Sequence, residues 1–489
     1  MVNHAPDSAT DDNPSCVACG TELPARKTGR PRRYCNEACR KKAGRNNARG
    51  STPTESGLPG VGSAATRPGG TQEGVVGAAR RMPGLPGAGE APKTAGQEFP
   101  DAGPSRYYAK LQAAPGQDPF SARRVIRARL LHLLREVTTV DRCKSCGWTP
   151  LGHAVVLKAG TIGDRKSAGF GGLERCGRIW LCPECAAKIR LRRGEEVAEG
   201  ISRHLDNQGG SYFWTVAIPH EHGDKLKIVL AVLAKLIAKV KEGRPWQNEK
   251  KRYGILGDIR AIEITHGRNG WHPHAHILIV TDRVLAFEEW CAWASSLDRR
   301  VGETLQKLGW NPGLPGIRST MIPVDKGSGL AAYLTKVQEK GLGNELARAD
   351  LKGGRKGGRT PFEILSDFGE HALADDLELW WEYERATIGK NAIRWSKGLR
   401  ALLLPNVEKQ TDEEIAAEEQ GGDAVAYITM PVWRRIRHDP DIRLACEFAA
   451  AEEGWEGLLR TLIRYRISAN GVYTPEEWAS PNEVELEPL

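Results

Sequence analysis

The chain has 489 residues, more than one hydrophobic core ordinarily organises, so two or three domains are expected. Lysine and arginine outnumber aspartate and glutamate by 70 to 61, a formal charge of +9 that favours a polyanionic partner, nucleic acid first. The opening residues, MVNHAPDSATDDNPS, have no basic stretch leading into an apolar one, and the apolar run from Ile228 to Val240 carries Lys235 and Lys239; neither export nor membrane insertion is expected, and the sequence predicts a soluble protein.

Residues 1–49 form a small cysteine unit, with Cys16 and Cys19 two residues apart, Cys35 and Cys39 three apart, and a basic tail from Arg40 to Arg45. Residues 50–119 are rich in Gly, Pro, Ala, Ser and Thr and hold hardly any large apolar side chain, so they bury too little surface to offset ordering entropy and predict a disordered linker. A basic, leucine-rich helix over 121–134 opens the folded body. Cys143, Cys146, Cys176, Cys182 and Cys185 follow. In a chain without a secretion signal such pairs more often bind metal than form disulfides, and two knuckles supply the four thiolates that Zn2+ accepts. Two structural zinc sites are expected, one from Cys16, Cys19, Cys35 and Cys39, the other from Cys143, Cys146, Cys182 and Cys185 with Cys176 as spare or substitute. Cys291 reads as a buried thiol in a helix.

Residues 211–219, SYFWTVAIP, have the aromatic and β-branched content of a strand, stopped by Pro219 and followed by His220. A helix with apolar positions from Leu226 to Val240 leads into a second alternating strand, Asp258 to Thr265. The Asn269–Gly270 pair signals a hairpin that joins it to the run Trp271-His272-Pro273-His274-Ala275-His276-Ile277-Leu278-Ile279-Val280. Side chains two apart on a strand share a face, so His274 and His276 can reach one divalent cation while Ile277 and Ile279 point to the opposite, buried side. Glu263 on the neighbouring strand can add a carboxylate if the register allows. A mixed nitrogen and oxygen site leans toward Mn2+ or Mg2+.

A strand over 318–324 precedes Gly327-Ser328-Gly329 and a helix, Leu330 to Val337, on which Tyr333 and Lys336 share a face. A phenol of pKa ~10 is mostly protonated at neutral pH, and a nearby ammonium favours the phenolate needed for nucleophilic attack. Lys352, Arg355, Lys356 and Arg359 lie in a basic, glycine-rich stretch able to track a DNA backbone, and Trp271 or Trp310 would stack on bases. Beyond Trp380 the pattern is helical to the end, interrupted by the acidic Thr411-Asp412-Glu413-Glu414.

TVAIPH, then Glu263 before WHPHAHILIV, then AAYLTK resembles, in this order, the HUH endonucleases, and among them the single-tyrosine initiators of rolling-circle plasmid replication. CGRIWLCPEC, Cys176 to Cys185, is similar to the zinc-binding stretch that precedes the nuclease motifs in such initiators, and the basic segment from Leu351 to Phe362 looks like that of actinobacterial relatives. The resemblance covers roughly Cys143 to Trp395.

It implies an α+β fold with an antiparallel sheet flanked by helices, divided as zinc finger (1–49), linker (50–119), zinc-binding segment (120–200), HUH endonuclease domain (201–405) and helical carboxyl-terminal region (406–489). It implies that His274 and His276 bind Mg2+ or Mn2+, with Glu263 or His272 as third ligand, and that Tyr333 is the nucleophile of a metal-dependent, site-specific DNA endonuclease and strand transferase. The products would be a 5′-phosphotyrosine and a 3′-hydroxyl primer. The implied partners are origin DNA, single-stranded at the nick, and a host helicase and polymerase, with no membrane, in the bacterial cytoplasm. The amino-terminal finger would bind duplex or origin DNA or serve as a purely structural knuckle. Where some single-tyrosine initiators carry a glutamate one turn before the tyrosine, this sequence has Gly329; Glu339 and Asp325 are substitutes for the termination step. The same residues also suit an HUH transposase or mobilisation relaxase, and a zinc-stabilised DNA-binding regulator without nuclease activity would use Tyr333 as a core residue.

Overall fold

The computed structural model describes residues 119–310, 318–324, 358–419 and 421–479. Cys16, Cys19, Cys35, Cys39, most of the linker, Tyr333, Lys336, Lys352, Arg355 and Lys356 lie outside these residues. In chain order the described elements are α1 (Pro119–Val137), α2 (Asp141–Ser145), β1 (Ala154–Ile162), β2 (Arg165–Gly171), α3 (Pro183–Asp206), β3 (Gly210–Ala217), α4 (Leu226–Val240) and α5 (Gly243–Arg252). Then come β4 (Ile255–Gly267), β5 (Gly270–Thr281), α6 (Phe287–Lys307), β6 (Arg318–Pro323), α7 (Pro361–His371), α8 (Ala374–Thr387), β7 (Ile393–Trp395) and α9 (Leu399–Leu403). The last are α10 (Asp412–Ala417), β8 (Asp423–Thr429), α11 (Met430–Arg437), α12 (Pro440–Arg464, broken at Gly454), β9 (Val472–Tyr473) and α13 (Pro475–Ala479).

The strands form two antiparallel sheets, ordered β6-β3-β5-β4-β7 and β2-β1-β8-β9, so the fold is α+β as expected. In the five-stranded sheet β5 is central and carries the histidines. Its odd-numbered side chains, Ala275, Ile277 and Ile279, are sealed under α4 and α6 with Val229, Leu233, Trp293 and Leu297. Each fully buried aliphatic side chain there contributes about 1.5–3 kcal/mol by leaving water, which locks the alternation of β5 in register. On the even face Leu278 and Val280 pack with Val197 and Ile201 of α3 and Leu399 and Leu403 of α9. This helical cover lies over the far half of β5 and leaves the histidine half for polar groups.

The β4–β5 turn lies one residue earlier than Asn-Gly at its two central positions: Gly267 pairs with Gly270, and Arg268 and Asn269 form the loop. Gly270 has φ +85°, a conformation that favours glycine, and a β-carbon there would come within 3.1 Å of the Glu221 carbonyl oxygen, a tight approach.

Two expectations are corrected. The carboxyl-terminal region is not wholly helical: β8 lies beside β1, with Val155 opposite Ile428, and Leu157, Phe170, Trp433, Cys446 and Leu462 form their common core. The opening segment and the end of the chain thus complete one sheet between them, a pairing that short-range periodicity does not encode. Likewise Ile393–Trp395 is an edge strand on β4 rather than part of a helix.

Candidate metal centre

Antiparallel register brings the proposed ligands together. Glu263 pairs with His274, and Ala261 with His276, while on the other side Ala217 pairs with His274 and Thr215 with His276. Paired residues share a face, so two alanines leave the imidazoles standing above a low floor. One oxygen of Glu263, Oε2, lies 2.9 Å from His274 Nε2 and 3.1 Å from His276 Nε2. Ligand atoms of all three residues fall within 4.8 Å of one another.

The rings are held from behind. Phe213 stacks on the His276 ring at 5.3 Å and 21°. Thr215 Oγ1 is 3.3 Å from His276 Nδ1, and the His272 carbonyl is 3.4 Å from His274 Nδ1. With each Nδ1 engaged, both Nε2 atoms aim at one point, the arrangement in which outer contacts orient ligating imidazoles. Burial works against a charge on Glu263, but the hydrogen bonds and charges of His274 and His276 outweigh it and hold the carboxyl well below the usual carboxylate range. A carboxylate whose ionised form is favoured, beside two imidazole nitrogens, fits a divalent cation, and its donor set suits Mn2+ or Mg2+ as well as Zn2+.

His272 is not among these three converging ligands, although its ring lies 5.2 Å from that of His274. Its Nδ1 lies 3.5 Å from His220 Nδ1, the rings 4.9 Å apart at centroid. His220, the last residue of TVAIPH, had no assigned role from sequence, since only the crossing of the loop after β3 over the start of β5 reveals its partner.

The chain is 30% identical over 352 residues to Protein rep of Streptomyces lividans, a match that takes in 58% of this chain and 76% of that protein. The chain belongs to the Rep protein family. A second Protein rep, from Streptococcus pneumoniae serotype 2 (strain D39 / NCTC 7466), is 23% identical over 131 residues, 24% of this chain and 39% of that one. A Streptomyces cyanogenus protein named Neomycin resistance protein is 33% identical over 150 residues, 25% of this chain and 34% of its own. No family model and no solved structure matches the chain.

In this Rep-family chain a second group of candidate metal ligands also forms. Cys146, Cys176, Cys182 and Cys185 are buried with their sulfurs within 4.8 Å of one another. Cys176, expected as a spare, is one of the four, and Cys143, expected as a ligand, is not. Cys143, on α2, is buried beside the four with its thiol next to that of Cys176, while Gly177, at φ +65°, follows Cys176 where it meets the helix-capping Cys182 and Cys185 of α3. Arg135 Nη2 donates to the Cys146 carbonyl at 2.7 Å and Arg443 Nη1 to the Gly147 carbonyl at 2.8 Å, fixing the first knuckle. Since α3 carries Cys185 at one end and Val197 and Ile201 farther along, this cluster anchors the helix that backs the even face of β5.

Other sequence-predicted residues are placed differently. Trp271 is 2% exposed, points to the core face and stacks on Tyr383, so it does not offer its ring to a nucleic-acid base. Trp310 is half-buried, its Nε1 donating to the Pro219 carbonyl at 2.6 Å. Arg359 is committed internally: its Nη1 lies 2.8 Å from both Asp367 and Asp376, and its main chain exchanges two hydrogen bonds with His266. Cys291 is half-buried rather than fully buried. Among the described residues no helix is long and apolar enough to cross a membrane.

Proposed function

We propose that this Rep-family chain is a plasmid replication initiator that nicks one strand of its origin, leaves a 3′-hydroxyl as primer for rolling-circle synthesis, and later rejoins the strand. The observation that carries the reading is the convergence of His274 Nε2, His276 Nε2 and Glu263 Oε2 on one point of a sheet face, in a member of the Rep family. Rep-named relatives favour replication over the transposition or mobilisation that the same residues would also serve.

Glu263, His274 and His276 would hold the cation; when bound, Mg2+ or Mn2+ supplies Lewis-acid polarisation of a DNA phosphate. The remaining steps belong to the chain. Phe213, Thr215 and the His272 carbonyl keep the two rings aimed before substrate arrives, so no reorganisation is needed at the moment of reaction. The Tyr333 hydroxyl, its ionisation favoured by Lys336, attacks phosphorus in line. The Tyr Oη–P bond forms, the P–O3′ bond breaks, and the proton leaving the phenol is balanced by one taken up at the 3′-oxygen. One phosphodiester replaces another of similar energy, so the step reverses without nucleotide hydrolysis.

Chain length supports this assignment of Tyr333. Val324 donates its N–H to the Ser211 carbonyl, and Ser211 pairs with Val280, four residues along β5 from His276. That separation is about 13 Å. Six residues lead from Val324 to Leu330, the start of the expected helix that carries Tyr333, a reach of up to about 20 Å when extended, so the phenol can arrive at the site.

The test is to incubate the full chain and Mn2+ with single-stranded oligonucleotides tiling the DNA around its own gene and to map any covalent adduct by mass spectrometry. An adduct on Tyr333, absent in Tyr333→Phe, is expected. No adduct with wild type on any strand, or an adduct surviving in Tyr333→Phe, overturns the assignment.

A further inference from the structure

Along the outer edge of the five-stranded sheet, Arg260 of β4 and Arg394 of β7 stand directly opposite each other. Like charges at one cross-strand pair repel and weaken the pairing unless something neutralises them. Among the described residues neither forms an ion pair with a carboxylate, and Asp258, the acid nearest in sequence, is held by Lys241. Burial and then the charge of Arg394 pull the Arg260 guanidinium below its usual range.

The pair lines a cavity of ≈ 210 Å³ with Lys390 and Trp180. Arg394, Lys390 and Trp180 also line a larger cleft of ≈ 760 Å³, whose wall adds Arg178, Lys397 and Lys409. Two further cations of that wall are engaged in holding the fold, Arg193 with Glu196 and Asp412, and Arg400 with Glu196. The other five have no carboxylate partner among the described residues, and the acids of the wall are Asp412, already engaged, and Glu413. The cleft begins close to the metal centre. Ile393 on its wall pairs with Ala261, which pairs with His276, so at about 4.8 Å per strand the backbone of the cleft wall runs about 10 Å from the backbone of His276; Arg260, opposite Ile277, and Arg394 stand on the other, α4 face beside Leu230 and Leu233, so a strand that meets both the pair and the metal centre passes round the β7 edge.

We propose that the cleft at the β7 edge binds the phosphodiester backbone of the DNA strand flanking the phosphate that reaches Glu263, His274 and His276, with a phosphate neutralising the Arg260–Arg394 pair. This rests on reading the metal centre as a nuclease site, which supplies the reason for a polyanion to lie beside it. The contacts are to backbone charge and are independent of base sequence.

The experiment measures binding of a fluorescein-labelled, random-sequence single-stranded oligonucleotide to the full chain by anisotropy over a salt series, beside the Tyr333 adduct assay. Lys390→Gln with Lys397→Gln should weaken binding at least about tenfold and flatten the slope of log K against log salt by about 1.4, two single-strand phosphate contacts. Arg178→Gln with Lys409→Gln, on the remaining wall, should act in the same direction and serves if the first pair does not fold. Arg394→Leu should weaken binding while Tm holds or rises, because its repulsion with Arg260 is gone. Unchanged affinity and slope in both double variants overturns the proposal, as does a lower Tm with unchanged affinity in Arg394→Leu. Equal binding of polyglutamate, with the same salt slope and the same losses, would assign the cleft to an acidic protein and also overturn it. Adduct formation with cleft variants that bind normally leaves the nuclease reading standing and removes this one; cleft-dependent binding without any adduct does the reverse.

Discussion

Glu263 and His274 face each other across the β4–β5 ladder, with the carboxylate oxygen 2.9 Å from the imidazole Nε2. A slip of one residue in that ladder would send Glu263 to the α4 face and dissolve the site. The same register decides the third ligand. Glu263→Gln, which keeps the shape and removes the charge, is expected to weaken Mn2+ binding at least about tenfold by calorimetry, whereas His272→Ala, whose ring meets His220, leaves it within about threefold. The reverse order would replace Glu263 by His272 as the ligand.

Metal removal separates chemistry from binding. In excess EDTA the Tyr333 adduct should vanish and return with added Mn2+, while oligonucleotide anisotropy changes little, since the basic residues of the β7 edge are untouched. Adduct formation that persists after exhaustive chelation would detach the histidine centre from the reaction.

The cysteine cluster makes a paired prediction. Cys176→Ser should release one equivalent of zinc and lower Tm, because a four-sulfur shell loses a member in a setting where zinc binding is worth about 10 kcal/mol or more. Cys143→Ser should keep full zinc content, measured by a chromogenic chelator after denaturation. Equal zinc loss in both variants would mean that Cys143 shares the ion.

Trp271→Ala should cost about 3–5 kcal/mol in urea unfolding, the usual penalty for emptying a buried aromatic site. Trp271→Phe, which retains most of the packing against Tyr383, should leave oligonucleotide affinity unchanged. A selective loss of DNA binding in the Phe variant with normal stability would return Trp271 to a base-stacking role.

Acid sensitivity should have a local source at the start of α6. Both carboxylate oxygens of Glu289 accept from Arg283 at 2.8 Å, and one also accepts from the Ala286 N–H. The Arg283 hydrogen bonds, then that of Ala286, bring its pKa down to about 2. A folded pKa below the unfolded value of about 4.3 means that the contribution is present above that value and is lost as pH falls toward about 2. Wild type should therefore exceed Glu289→Gln in urea midpoint at pH 6, with the gap closing between pH ~4.5 and ~2. A gap independent of pH would exclude the charge as its cause.

How much was legible in the sequence depended on the range of the interactions. The alternation at His272, His274 and His276 and the Asn269–Gly270 turn are properties of ten neighbouring residues, and they predicted a hairpin with one imidazole face. Pairs of cysteines a turn apart announced a knuckle in the same way. Which four sulfurs meet was not legible, because Cys176 joins Cys146, thirty residues earlier in the chain, through the turn at Gly177 and the approach of α3. Trp271 and Arg359 read as DNA contacts on composition alone, and only burial against Tyr383 and pairing with Asp367 and Asp376 show them otherwise employed.

Local chemistry, then, was determined by the sequence itself: strand faces, turns, knuckles and the residue types able to bind a cation follow from periods of two and three to four residues and from side-chain donors. Tertiary structure alone decided the register that gives Glu263 to His274 and His276, the pairing of β8 with β1 across most of the chain, and the meeting of Arg260 with Arg394. Those contacts join segments whose separation along the chain costs loop entropy, offset by burial of the whole core, and no local window carries that balance.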